Sequence, residues 1–132
     1  MREVIVDTSV LIAVIVGEEK KKSLIDLTKN ATLLAPLSVH WEIGNAFSAL
    51  FKRQRISLEQ ALEATDIYLT IPIRFVEVEL SNTLVLAKEA NIYAYDAYLL
   101  RCAEKYRLPL LTLDRRLKEV AKEKGFSVLE VS

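Results

Sequence analysis

The sequence predicts an α/β protein, a three-layer sandwich in which a five-stranded parallel sheet is flanked by helices. Two observations carry this. Short apolar, β-branched runs alternate along the chain with longer segments whose apolar residues recur at helical spacing. No hairpin signal joins one strand to the next, so the pairing is expected to be parallel with right-handed crossovers. A third observation bounds the size: 132 residues match one domain of the usual ~100–200 residues, spanning 1–132. A chain of that length buries roughly two thirds of its unfolded surface, enough for a core.

Val4, Ile5 and Val6 read as the first strand, with Asp7 at its carboxyl end. Thr8 and Ser9 bring hydroxyls of the kind that cap a helix, and Val10 to Val16 continue as a helix buried on every side. Periodicity alone leaves strand open for so uniform a run. Glu18 to Lys29 reads as a surface helix with Leu24, Ile25 and Leu27 turned inward, stopping near Asn30. Thr32 to Ala35 is the second strand. Pro36 breaks the chain, and Ser38 is expected to cap a helix running to about Arg53 on a stripe of Ile43, Ala46, Phe47 and Leu50. Glu42 falls in its first turn at the edge of that stripe, and Asn45 shares its side.

Ser57 and Gln60 form a capping-box pair, opening a helix with Leu58, Ala61, Leu62, Thr65 and Leu69 on one face. Pro72 closes the connection and Arg74 to Val78 alternates as the third strand. Ser81 starts a helix to Ala90, with Asn91 as its stop. Another helix begins near Tyr95 and runs to about Tyr106, with Asp96 heading the stripe of Leu99, Leu100 and Ala103. Pro109 to Leu113 is the fourth strand, followed directly by Asp114. Leu117, Val120 and Ala121 form the apolar side of the last helix, Gly125 ends it, and Phe126 to Val131 is the fifth strand.

Composition narrows the function classes. Hydrophobic residues make up 52% and mean hydropathy is +0.21, yet the longest apolar run, Val10 to Val16, is far short of the ~20 residues that span a bilayer. The excess belongs to a core or a subunit interface. No basic segment leads into a long apolar stretch with a cleavage site, so no secretory signal is expected, and the single cysteine, Cys102, rules out an intrachain disulfide. Both point to the cytoplasm. Eighteen basic and eighteen acidic residues cancel, so nothing global advertises a polyanion partner. Eleven of the basic residues fall in three clusters: Lys20 to Lys22; Lys52, Arg53 and Arg55; and Arg115, Arg116, Lys118, Lys122 and Lys124.

Four acids stand at equivalent junctions. Asp7 and Asp114 leave the carboxyl ends of two strands, and Glu42 and Asp96 lie near the amino ends of helices, where ligands bind in parallel α/β sheets. Each has an ordinary structural explanation as a cap or first-turn acid. Four facing inward together are harder to explain that way, because two carboxylates ~4 Å apart repel by about 4 kcal/mol at an effective dielectric of ~20. Such a cluster must be protonated or bind a cation. Oxygen ligands without a His or Cys cluster select Mg²⁺ or Mn²⁺ over zinc, and a metal held this way suits phosphodiester hydrolysis. Ser9, Asn45 and Thr112 are placed to orient water or the ligating oxygens, Arg115 and Arg116 to reach flanking phosphates. His40, the only histidine, reads as a structural or surface residue.

The run VIVDTSVLIAV, the segment HWEIGN with Glu42 and Asn45, and YDAYLLRCAEKYRLPLLTLDRRL with Asp96, Thr112 and Asp114 together resemble the PIN-domain ribonucleases, most closely the small VapC-like toxins of toxin–antitoxin pairs. The resemblance covers essentially the whole chain. It implies Mg²⁺- or Mn²⁺-dependent hydrolysis of single-stranded RNA by Asp7, Glu42, Asp96 and Asp114, the strand order 3-2-1-4-5, a homodimer and a separate antitoxin that obstructs the site. The neutral charge fits broad RNA capture poorly. A receiver-like signalling domain lacks its Asp after strand three and its Lys after strand five, and a dehalogenase-type phosphatase wants Asp-x-Asp where Asp7 is followed by Thr8 and Ser9. A structure-specific DNA nuclease usually carries additional gripping elements. The rival from another class is a non-catalytic PIN-like binding module.

Overall fold

The computed structural model describes residues 2–17 and 21–131. Its strands are β1 (Arg2–Val6), β2 (Ala31–Pro36), β3 (Ile73–Val76) and β4 (Leu110–Leu111), all paired in parallel in the order β3-β2-β1-β4. β1 is central because its Val4, Ile5 and Val6 have no exposed surface, as expected of a strand with neighbours on both edges and helices over its faces. Val4 stands beside Leu33 of β2 and Val6 beside Leu111 of β4.

Helices connect the strands: α1 (Thr8–Val16), α2 (Lys21–Thr28), α3 (Ser38–Lys52), α4 (Leu58–Thr70), α5 (Leu80–Ala90), α6 (Ala94–Tyr106) and α7 (Arg115–Glu123). The uniform run after Asp7 is helix, as expected, with Val10, Leu11, Ala13 and Ile15 buried. α6 packs across β1, β2 and β4 with α5 against it, while α1 packs with α2, α3 and α4. The capping box that opens α4 is present in both halves, Ser57 Oγ accepting from Gln60 N at 3.0 Å and Gln60 Oε1 from Ser57 N at 2.8 Å. Asn91 takes the left-handed conformation that ends α5, and Gly125 that which follows α7. Among the described residues no helix is long and apolar enough to cross a membrane.

The structure corrects several local expectations. The fifth strand is reduced to one parallel bridge, Leu110 to Val128. Leu110 N donates to Ser127 O and Leu129 N to Leu110 O, so the segment lies beside β4 in the expected fifth position without extending its ladder. β4 is short for a related reason: the backbone amides of Leu113 and Asp114 donate to the hydroxyls of Ser9 and Thr112 instead of to a strand.

Ser38 is the first residue of α3 and not its cap; the cap position is Leu37, without a side-chain bond, and Ser38 Oγ is buried with no partner. Glu42 therefore falls just beyond the first turn. On α4 the expected leucine face is outside, with Leu58, Leu62 and Leu69 exposed, and Ala61 and Tyr68 face the core. Tyr68 sets that rotation, its hydroxyl meeting His40 Nδ1 at 3.0 Å while the His40 ring contacts Trp41 and Phe75. The histidine is structural, as expected. Ile25 of α2 is exposed, while Leu24 is buried. Glu18 to Lys20, where the sequence begins that helix and its first basic cluster, lie outside the described residues.

Replacing Ser57 by alanine removes one half of the capping box and leaves the core untouched. It is expected to lower unfolding free energy by about 1 kcal/mol, read as a lower urea midpoint with an unchanged slope.

Candidate active site

In a parallel sheet the helices return against the strands, so their amino ends gather at the carboxyl edge. Asp7 leaves β1 as the N-cap of α1, Asp114 follows β4 as the N-cap of α7, Asp96 lies in the first turn of α6, and Glu42 lies near the start of α3. All four sequence-predicted acids thus stand at one edge.

Asp7 is the most constrained. It is 5% exposed and accepts hydrogen bonds from three donors: Ser9 Oγ at 2.6 Å and Val10 N at 3.3 Å on Oδ1, and Thr112 Oγ1 at 2.5 Å on Oδ2. Each hydroxyl passes the order onward, since Ser9 Oγ accepts from Leu113 N and Thr112 Oγ1 from Asp114 N, both at 3.0 Å. Asp114 Oδ1 in turn accepts from Leu117 N at 3.2 Å. Ser9 and Thr112 each spend their one O–H donor on Asp7 and accept one backbone amide, and so position two carboxylates.

Electrostatics ties the four together. Burial pushes the Asp7 carboxyl above its ordinary range; the bonds from Ser9, Thr112 and Val10 oppose this, and the charge of Asp114 adds to it. Burial raises Glu42 to about 7, reinforced by the charges of Asp7 and Asp96. Asp96 is raised by burial and by Asp114. Thr8 approaches Glu42 and pulls weakly the other way, although no hydrogen bond of normal geometry joins them: Thr8 Oγ1 and Glu42 Oε1 are both buried without partners.

That orphaned oxygen is the structural sign that the site accepts a proton or a cation. An all-oxygen donor set suits Mg²⁺ or Mn²⁺. Among the described residues no three His, Cys, Asp or Glu side chains are grouped closely enough to hold an ion directly. A Mg²⁺ that keeps several waters needs only one or two carboxylates, so the residues fit it.

Glu42, Asn45 and Thr8 line a pocket of about 410 Å³ together with Trp41, Ala46 and Tyr95. Asn45 is exposed there, on the side of Glu42 that the sequence predicts. Arg115 and Arg116 are exposed beside Asp114 and, among the described residues, enter no ion pair. The rest of that basic cluster is ion-paired, Lys118 and Lys122 sharing Glu130 and Lys124 meeting Glu89. Sequence reasoning assigned Thr8 only a capping role and Tyr95 only a place at the start of a helix. The available signal was adjacency, since Thr8, Trp41 and Tyr95 each neighbour one of the four acids.

Comparison with known proteins bears on the family and the fold. Residues 4–123 match the PIN domain family. Among solved structures, PAE2754 from Pyrobaculum aerophilum is similar at 27% identity, with a TM-score of 0.73 over 96% of this chain and 90% of that one. VapBC2 from Rickettsia felis, bound to a DNA fragment from its promoter, is similar at 15% identity and TM-score 0.68, over 98% and 99% of the two chains. The sarcin-ricin loop cleaving toxin VapC20 of Mycobacterium tuberculosis is similar at 17% identity and TM-score 0.63, over 93% and 95%. No curated protein matches the sequence significantly.

The raised carboxyls make stability depend on pH in a definite direction. Glu42 binds a proton more tightly folded than unfolded, so its contribution is fully present below its unfolded value near 4.5 and is lost as pH rises to about 7. Metal-free protein is expected to melt at progressively lower temperature across that window. Glu42→Gln should flatten the profile, and Mn²⁺ should restore the melting temperature at neutral pH, both measured by thermal denaturation.

Proposed function

The chain belongs to the PIN domain family, and on that premise we propose that it is a Mg²⁺- or Mn²⁺-dependent endoribonuclease acting on single-stranded RNA, the toxin of a toxin–antitoxin pair. One observation carries the reading: four acids at the carboxyl edge of the sheet, three of them raised by burial and by neighbouring charge, with Glu42 at about 7 and one of its buried oxygens lacking a hydrogen-bond partner. The nuclease domain spans 1–132, and its catalytic and metal-binding residues are Asp7, Glu42, Asp96 and Asp114.

In this reading Asp7 is the rigid member, its carboxylate oriented by three donors so that little reorganisation accompanies the reaction. Glu42 and Asp96 supply the less constrained oxygens. A bound Mg²⁺ or Mn²⁺ supplies an activated water and neutralises charge growing on the phosphodiester. Ser9 and Thr112 are positioning residues, which hold Asp7 and fix the backbone that carries Asp114. Asn45 faces the substrate from the wall that bears Glu42, and Arg115 and Arg116 contact phosphates flanking the cut.

A protein partner is supported by the leucines left outside on α4, Leu58, Leu62 and Leu69, since apolar surface gathered in one patch marks interaction sites. We assign that partner as the antitoxin, place the protein in the cytoplasm, and expect a homodimer. The second reading, a non-catalytic PIN-like RNA- or protein-binding module, is favoured by the absence of a tight metal cluster among the described residues.

The deciding experiment is cleavage of a labelled, structured RNA with single-stranded loops, in Mn²⁺ or in EDTA. Asp7→Asn and Asp96→Asn should each lower metal-dependent cleavage by at least roughly a hundredfold while circular dichroism shows the fold retained. Asparagine can still cap α1 through its carbonyl oxygen. Metal binding without cleavage across several RNAs would favour the binding module.

A further inference from the structure

Two exposed aromatic side chains flank the acidic pocket and have no role in the chemistry described above. Trp41 precedes Glu42 and is 62% exposed; Tyr95 precedes Asp96 and is 53% exposed. They are the two residues common to the acidic pocket and a neighbouring recess of about 500 Å³, a volume within the ~300–1,000 Å³ usual for small-ligand sites. Both rings are braced: His40 packs edge-on to Trp41 with centroids 5.0 Å apart, and Tyr98 edge-on to Tyr95 at 6.3 Å. The recess beyond them is walled by Leu37 and Val78, and Ser38 lines it with its Oγ buried and unpartnered.

The charge balance calls for such a feature. Net charge is zero; Arg101 and Lys105 are held by Glu79, and Lys118, Lys122 and Lys124 by Glu130 and Glu89. Counterion release from phosphate contacts is then limited, and affinity for a single strand must come substantially from its bases. An aromatic face stacks on any unpaired base.

We propose that Trp41 and Tyr95 form a stacking platform for an unpaired nucleobase, and so set the RNA strand against the acidic pocket. The proposal rests on the ribonuclease reading for its substrate, and a double-stranded segment, whose bases are already stacked, would not engage it.

Trp41 is the only tryptophan in the chain, so its fluorescence reports this site without turnover. In EDTA, titration with a short unstructured oligoribonucleotide should quench it saturably, and an abasic sugar-phosphate oligomer of equal length should not. In Mn²⁺, Trp41→Ala and Tyr95→Ala should raise KM for RNA cleavage roughly tenfold or more with kcat within a few-fold, and Trp41→Phe should restore most of the loss. Quenching without cleavage would keep the platform and sink the nuclease reading. Equal quenching by the abasic oligomer, no quenching at all, or unchanged KM in both alanine variants would overturn the platform. So would a concentration-dependent blue shift without RNA, accompanied by conversion of a dimer to monomer in Trp41→Ala, because a second copy would then cover the face.

Discussion

The buried carboxylate of Asp7 is the constraint around which the chain closes. Its three donors come from the turn that follows β1 and from Thr112, more than a hundred residues later in the chain. Burying an ionised group without partners is prohibitively costly, whereas a carboxylate that accepts several hydrogen bonds is tolerated. The fold meets that need by bringing β4 beside β1 and letting Thr112 and Ser9 each serve twice, as donor to Asp7 and as acceptor for the backbone that leads into α7. The same arrangement ends β4 after two residues and sets the start of the last helix, so a polar constraint at one point determines where neighbouring secondary structure begins and stops.

The other acids follow from topology. Because every strand in the sheet is parallel, helices begin on the edge where strands end, and their amino-terminal dipoles favour negative charge there. This partly offsets mutual repulsion, and Asp7 and Asp114 also cap their helices. Capping and metal chemistry are therefore compatible roles for one side chain. Glu42 is the exception. It caps nothing, and burial and neighbouring charge raise its carboxyl while one of its oxygens lacks a hydrogen-bond partner, a local cost that the fold gives no structural return for. The Glu79 cluster shows the contrast: its carboxylate, held to about 2 by Lys105 and Arg101, is fully satisfied and clips the connection before α5 onto α6.

Much of the architecture was legible along the chain because it depends on local chemistry. The capping box at Ser57 and Gln60, the asparagine stop at Asn91 and the apolar stripes of α3, α6 and α7 each follow from residue types at fixed spacing. The misreadings share a cause. On α4 the leucine row and the row of Ala61 and Tyr68 are both apolar, and which one turned inward depended on Tyr68 finding His40 on another helix. Ser38 has the chemistry of a cap, yet the chain enters α3 one residue earlier. The last strand has strand composition, but a two-residue neighbour offers it little to pair with.

The sequence by itself determined the α/β class, the parallel pairing and the identity of the four acids, because hydrophobic period and strand-to-helix junctions are encoded residue by residue. It left open whether those acids meet and what else stands with them. Only the tertiary structure decided that Ser9 and Thr112 are committed to Asp7, that the lysines of the last basic cluster are ion-paired while Arg115 and Arg116 enter no ion pair among the described residues, and that Trp41 and Tyr95 flank one pocket. Each of these is a relation between distant segments, and hydrogen bonds, ion pairs and shared cavities of that kind come into existence only when packing brings the segments together.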